Sequence, residues 1–213
     1  SPLQAGLLYA GTDDGLIQVT SDDGQNWQRH DKFGKVPEMS YVSDLAASLH
    51  NTDVVYASFD NHKQGDFKPY VLRSADRGKS WTSIAGDLPE RGTVYSIVED
   101  HVNPDLLFVG TEFGVYFTQN GGKNWAKLSG NMPTIAVRDL EIQRRESDLV
   151  IGTFGRGIRI LDDYSPLRTP AASLGDGEAT LFSVKDPWLY VEDNVWVYGS
   201  KGFAGASYYT APN

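Results

Sequence analysis

Acidic side chains recur in this chain where short strands should turn. Asp13-Asp14, Asp66 and Glu112-Phe113 each stand between two apolar runs, and Asp44 and Arg138-Asp139 stand near the starts of others. Two carboxylates flanking one bond are the raw material of glycoside hydrolysis, at about 5–5.5 Å for retention and about 6.5–9.5 Å for inversion. Asp13, Asp14, Asp44, Asp66, Glu112 and Asp139 supply many such pairs, and spacing alone selects none. His62 lies in the long loop 60–66 and has a ring suited to acid–base work or metal ligation. A lone histidine in a surface loop is more often simply solvated. Arg138 and Arg156 are placed to meet an anionic group. Asp13-Asp14-Gly15 and Asp22-Asp23-Gly24 begin like calcium loops, but the alternating acidic spacing and the later Glu are missing. No phosphate loop and no nucleophile elbow is present. No metal site and no cofactor is expected.

The elements that must position these residues announce themselves by repetition. Thr20 to Trp27, Ser74 to Trp81 and Thr118 to Trp125 share the form [ST]-x-[DN]-x-G-x-x-W, at intervals of 54 and 44 residues. Each part has a mechanical reason. Asp22, Asp76 and Asn120 can accept backbone N–H groups a few residues on, closing a turn. Gly24, Gly78 and Gly122 supply a positive φ. Trp27, Trp81 and Trp125 open the next strand and can fold over the hairpin, so all three are expected to be largely buried. The repetition explains these residues as structural.

More than the turn repeats. A G-x-x-P step stands at Gly34 to Pro37, Gly86 to Pro89 and Gly130 to Pro133. Short apolar runs follow at Val42 to Leu45, Val94 to Ile97 and Val137 to Leu140. Second runs lie at Leu7 to Thr12, Val54 to Ser58, Leu106 to Thr111 and Leu149 to Thr153. Third runs precede the turns, and the fourth strand opens on each Trp. The pattern is a β-meander, with no sustained helical period. Four strands per unit, here called A to D, read as one propeller blade.

The first unit has B, C and D; two complete units follow; the fourth has A, B and C. Asp162 to Pro166 then stands where the turn is expected, and Pro166 and Pro170 oppose a regular strand there. The expected fold is all-β, just under four blades over residues 1–168. A four-bladed ring closed by a late strand such as 179–184 is one arrangement, and part of a larger, seven-bladed-type ring is the favoured one. Residues 169–213 read as a linker and an aromatic-rich segment leading toward a further module. Its Trp188, Trp196 and Tyr198 suit rim packing or stacking on a sugar or peptide.

The chain has 213 residues, a net charge of −9 and no cysteine. The charge disfavours nucleic acid and anionic membranes. The missing thiols exclude disulfides and a Cys nucleophile. No apolar run approaches the ~18 residues that span a bilayer, so no membrane insertion is expected. The chain opens without Met, which reads as a processed or excerpted segment.

The turn sequence resembles the Asp box of BNR-repeat β-propellers. Gly11 to Gly15, Asp66 to Tyr70, Phe108 to Gly114 and Gly155 to Asp163 resemble the large bacterial BNR-repeat proteins with sortilin-type propellers, over roughly residues 5–168. Members of that family often carry a glycosyl hydrolase label. The resemblance implies an extracytoplasmic protein, periplasmic or secreted, that leaves its propeller through a run like Ser165 to Arg168. Phe154 stands where relatives often carry His, which puts any function of that His in doubt here. The arginine motif of sialidases is absent. Xyloglucan-active propeller enzymes use a cleft between two propellers, which an arc of this size does not form alone.

In a meander the D–A and B–C turns share one face and the repeated turns share the other. The candidate binding face is therefore the first, with Asp13, Asp14, Asp44, His62, Asp66, Glu112, Phe113, Arg138, Asp139 and Arg156. The favoured function is a non-catalytic recognition scaffold for a protein or glycan, packed against remaining blades of the same or another polypeptide. The alternative is a glycoside hydrolase or lyase using a carboxylate pair on that face.

Overall fold

The alternation of apolar runs with Gly, Asp and Asn turns produces short antiparallel strands in chain order. In the computed structural model, which describes residues 1–170, 173–174, 179–184, 186, 191–193 and 208–210, they form four successive sheets. The first holds β1 (Leu8–Gly11), β2 (Ile17–Thr20) and β3 (Gln28–His30). The second holds β4 (Tyr41–Ala47), β5 (Val55–Asn61), β6 (Asp66–Ser74) and β7 (Thr82–Ser83). The third holds β8 (Val94–Glu99), β9 (Leu107–Thr111), β10 (Gly114–Thr118) and β11 (Ala126–Lys127). The fourth holds β12 (Val137–Gln143), β13 (Asp148–Thr153) and β14 (Ile158–Leu161). The fold is all-β, and the strand content of each blade is the one expected. A short 3₁₀ turn, Ser165–Arg168, follows β14.

The sheets pack face to face, with one apolar core in each gap. Ile17 and Val19 of the first blade meet Val42, Ala57, Phe59 and Leu72 of the second. Val54, Tyr56 and Val71 meet Ile97, Leu107 and Val109. Leu106, Phe108 and Val115 meet Leu140, Leu149 and Ile151. Each such Val, Leu, Ile or Phe contributes about 1.5–3 kcal/mol when fully buried. The approach is close because the B strands carry small residues: a Cβ on Gly110 would stand 2.8 Å from Val137 Cγ1 of the next blade. The A strands β4, β8 and β12 lie against one another, as inner strands should.

The three repeated turns are closed by their own side chains. Thr20, Ser74 and Thr118 donate to Asp22, Asp76 and Asn120 at 2.7, 2.8 and 2.9 Å, and accept from the backbone of Gly24, Gly78 and Gly122. The acids also accept from Asn26 N and Ser80 N. The Asn26 and Ser80 hydrogen bonds hold the carboxyls of Asp22 and Asp76 down at about 2.

The tryptophans depart from their expected uniform burial. Trp125 is 9% exposed and donates Nε1–H to Ile84 O of the preceding blade, not to its own turn. Trp81 is half-buried, bonded to Gly78 O and edge-on to Phe33. Trp27 is 43% exposed. Cover comes largely from the segment that follows the preceding blade's D strand, such as Phe33 for Trp81. No preceding blade stands against Trp27 among the described residues.

The fourth blade keeps the turn's backbone without its side chains. Gly121 N donates to Asp105 O, and Tyr164 N donates to Ser147 O in the corresponding place. Tyr164 packs edge-on against Phe108, and its hydroxyl donates to Asp100. Arg168 adds two bonds of 2.9 Å to the same fully buried carboxylate.

Residues 1–175 form one compact unit and 176–213 another. In the second, β15 (Val191–Asp193) pairs antiparallel with β16 (Tyr208–Thr210). Residues 179–184 form no strand, so the closing strand considered there is not made. Trp188, Trp196 and Tyr198 lie outside the described residues.

Candidate functional site

The inner strands each begin with a bulge. Pairing with strand B shifts register between Val42 and Asp44, between Val94 and Ser96, and between Val137 and Asp139. The extra residues are Ser43, Tyr95 and Arg138. A bulge re-aims the inserted side chain, and bulges are common beside functional sites. Here they point three different chemistries into equivalent places on successive blades.

Arg138 Cζ lies 3.9 Å from the Tyr95 ring centroid and 5.5 Å from that of Phe154. The guanidinium is thus held between two aromatic rings, a contact that orients it without neutralising it. Phe154 is 67% exposed. Burial raises the Tyr95 phenol above its ordinary value; Arg138 opposes this, while Asp60 and Glu112 add to it. Two carboxylates from neighbouring blades therefore bear on one phenol.

Those carboxylates differ. Asp60 is buried and lies 2.6 Å from His62 Nδ1. Glu112 Oε2 is buried and has no hydrogen-bond partner. Directly across the strand pair stands Thr93, whose Oγ1 is likewise buried and unpartnered, while Glu112 N donates to Thr93 O. Buried polar atoms of this kind are costly unless something binds them.

The other acidic candidates are placed elsewhere. Asp44 bridges blades, accepting from Leu45 N and from Ile97 N at 2.8 Å each. Burial raises its carboxyl despite these bonds, and Asp139 pushes the same way. Asp66 accepts from Tyr70 Oη at 2.6 Å and from Lys68 N. Burial would raise its carboxyl, but these bonds together bring it below the usual range. Asp14 accepts from the Thr12 hydroxyl inside its own turn. Asp13, Asp139 and Arg156 are exposed. Phe113 borders the linker at Gly92, next to Arg91, which stacks over Phe67 at 4.6 Å. Farther out, Phe33, Tyr70 and Trp81 wall a cleft of about 710 Å³ with Lys35, Lys68 and Glu90 at its rim.

The structure thus gathers Asp60, His62, Tyr95, Glu112, Arg138 and Phe154, and leaves Asp44 and Asp66 in structural bonds. Sequence reasoning missed Tyr95 and Thr93. A signal existed: in Val42-Ser43-Asp44-Leu45, Val94-Tyr95-Ser96-Ile97 and Val137-Arg138-Asp139-Leu140 the second position varies inside a steady frame. Among the described residues no cluster of three or more His, Asp or Glu could hold a metal ion, and no helix is long and apolar enough to cross a membrane.

No family model matches the chain. It is 24% identical, over 139 residues, to a Neosartorya fischeri protein named a probable oligoxyloglucan-reducing end-specific xyloglucanase, covering 61% of this chain and 15% of that one. Among solved structures it is similar to YCF48 bound to the D1 peptide, with TM-score 0.57, 16% identity, 76% of this chain and 48% of that one. It is similar to a GH74 xyloglucanase from Xanthomonas campestris at TM-score 0.56 and 16% identity, over 80% of this chain and 30% of that one. It is also similar, at TM-score 0.56 and 16% identity, to the extracellular domain of a one-component-system protein from B. thetaiotaomicron, over 78% of this chain and 20% of that one. The chain spans less than half the length of each. These likenesses establish the β-propeller fold.

Proposed function

We propose that this chain is an arc of an Asp-box propeller whose B–C/D–A face recognises a peptide or glycan without catalysing its cleavage. The observation that carries the reading is Arg138 held by the Tyr95 and Phe154 rings, with Glu112, whose Oε2 is unpartnered, bearing on the same Tyr95 phenol. The aromatic rings offer stacking surface, Arg138 offers donors, and Glu112 offers an acceptor. That set suits a hydroxyl-rich sugar or a peptide backbone. The similarity to a peptide-bound propeller supports it. Extracytoplasmic placement accords with the similarity to an extracellular domain. A glycan and peptide array probed with the 213-residue chain and with Arg138→Ala tests the reading. Retention of every hit by the variant would reject it.

The arc is proposed to sit between further blades. Asp44 accepts Ile97 N from the next inner strand, and Ser96 Oγ accepts Leu140 N one blade later. Asp139 holds the same position on the fourth blade and is exposed, as are Ile158 and Ile160 two strands away in the same sheet.

A second reading has one observation in its favour. Asp60 and Glu112 both bear on the Tyr95 phenol. A carboxylate pair beside a half-buried phenol is compatible with glycoside hydrolysis, and turnover in the same array would favour it over recognition alone.

A further inference from the structure

The opposite face, which carries the repeated turns, holds a segment of this chain in one gap between blades and has an open groove in the adjacent gap. Between the third and fourth blades the chain seats its own segment 164–169. Tyr164 stacks edge-on against Phe108 at 5.1 Å, Tyr164 and Arg168 converge on Asp100, and Gln119 Nε2 donates to Leu167 O at 2.7 Å and Thr169 O at 2.9 Å. Strand register gives the corresponding positions one gap earlier. Ser48 N donates to Val54 O as Asp100 N donates to Leu106 O, so Ser48 matches Asp100. Val55 pairs with Ser74 as Leu107 pairs with Thr118, so Tyr56 matches Phe108 and Ala75 matches Gln119. Gly121 stands where Tyr164 stands, because both donate their N–H to the turn that leads into strand B, at Asp105 O and Ser147 O.

The replacement of Tyr164 by a glycine and of Gln119 by an alanine leaves space. A groove of about 1020 Å³ lies there, lined by Ser48, Tyr56, Ala75, Glu99 and Gly121 among others. Its wall holds a buried acid. Glu99 is 6% exposed and accepts from Ser48 Oγ, Leu49 N and Tyr56 Oη. Three hydrogens for four lone-pair directions leave one direction open. No Lys, Arg or His among the described residues forms an ion pair with Glu99; Arg73 reaches the Tyr56 hydroxyl instead. In the filled gap the buried acid Asp100 has Arg168. A buried carboxylate is stabilised by a hydrogen-bonded cation and is costly without one.

We infer that the groove between the second and third blades binds a short peptide carrying an arginine, whose guanidinium reaches Glu99 as Arg168 reaches Asp100. This site is separate from the loop face and stands or falls independently of it. The main chain of the peptide runs past Ala75, where the filled seat has the gripping amide of Gln119. The side-chain hydroxyls and amides along the groove suit a backbone better than an apolar surface would.

The probe is the acetylated, amidated peptide Tyr-Ser-Pro-Leu-Arg-Thr, the sequence of the seated segment, titrated into the 213-residue chain by calorimetry and by amide NMR shifts. Saturable binding below about 1 mM is expected, with shifts at Ser48, Tyr56 and Glu99. Replacing the peptide arginine by neutral citrulline should weaken it at least ~10-fold, matching the loss of a charge-assisted pair. Glu99→Gln should do the same, and Ala75→Gln should tighten binding several-fold by restoring the gripping amide. The citrulline peptide keeps the test valid if Glu99→Gln fails to fold. Absence of binding, indifference to citrulline, or shifts confined to Asp100 and Gln119 would each overturn the inference, the last by showing exchange with the chain's own segment.

Discussion

The guanidinium of Arg138 lies 3.9 Å from the centre of the Tyr95 ring, and each residue is the inserted residue of a bulge on adjacent inner strands. Two blades thus contribute one side chain each to a shared surface. A third contribution comes from Asp60, near the end of β5, and Glu112, in the turn between β9 and β10. The recognition proposed for this face would depend on the packing of blades and not on any single loop.

The Tyr95 phenol reports that arrangement. It lies above its ordinary value, with Arg138 opposing the shift and Glu112 adding to it. Arg138→Met should raise it further, and Glu112→Gln should lower it. Observing the tyrosine Cζ resonance through an alkaline titration checks both signs. A phenol that ignores both variants would remove the coupling from the account.

Acid stability should follow the repeated turns. The carboxyls of Asp22 and Asp76 are held at about 2, below the ordinary value of 3.8, by bonds formed only in the folded turn. Their contribution is complete above the unfolded value and is lost as pH falls from about 4 toward about 2. Asn120 forms the same turn without a titrating group. Asp22→Asn with Asp76→Asn should therefore keep the fold at neutral pH and flatten the loss of Tm between pH 4 and 2. An unchanged acid slope would contradict the assignment.

The exit segment should matter more than its length implies. Arg168→Met leaves Asp100 buried and without its cation. Breaking a buried pair from one side costs about 3–5 kcal/mol. Urea unfolding should show a loss of that order, while Arg156→Met on the exposed loop should change stability little. Equal effects would mean that the buried pair is not what holds the segment.

The spacing between blades can be probed at Gly110. An added Cβ would stand 2.8 Å from Val137 Cγ1 and 3.0 Å from Val137 O. Gly110→Ala should cost about 1–3 kcal/mol by overpacking. A neutral result in thermal unfolding would show that the third and fourth blades do not meet as closely as described.

Much of this architecture is legible in the residues. The [ST]-x-[DN]-x-G-x-x-W turns, the Gly-Pro steps and the apolar runs specify strand order because each encodes a local conformation. The meander then dictates which turns share a face. The burial of the tryptophans is not local, and Trp27, Trp81 and Trp125 differ because the preceding blade covers each to a different degree. The site shows the same limit. Asp44 looks like a candidate acid in the sequence, yet it serves as an acceptor between blades. Tyr95 looks like one strand residue among many until a register shift re-aims it.

Exposed apolar side chains on the first and fourth blades should make the isolated chain associate. Ile158 and Ile160 are exposed on the fourth blade, and Leu8 and Trp27 are exposed on the first. Light scattering on the 213-residue chain should show concentration-dependent oligomers that Ile158→Lys with Ile160→Lys reduces. A monodisperse monomer that unfolds cooperatively would argue for a closed small propeller.

The most direct test of recognition without cleavage is a titration of the best array ligand into the wild-type chain, Arg138→Ala and Phe154→Ala, with the ligand analysed for breakdown afterwards. Saturable binding by the wild type, at least ~10-fold weaker binding by both folded variants, and intact ligand throughout are expected. Cleavage of the ligand that Glu112→Gln abolishes, or binding that both variants retain in full, would contradict recognition without cleavage.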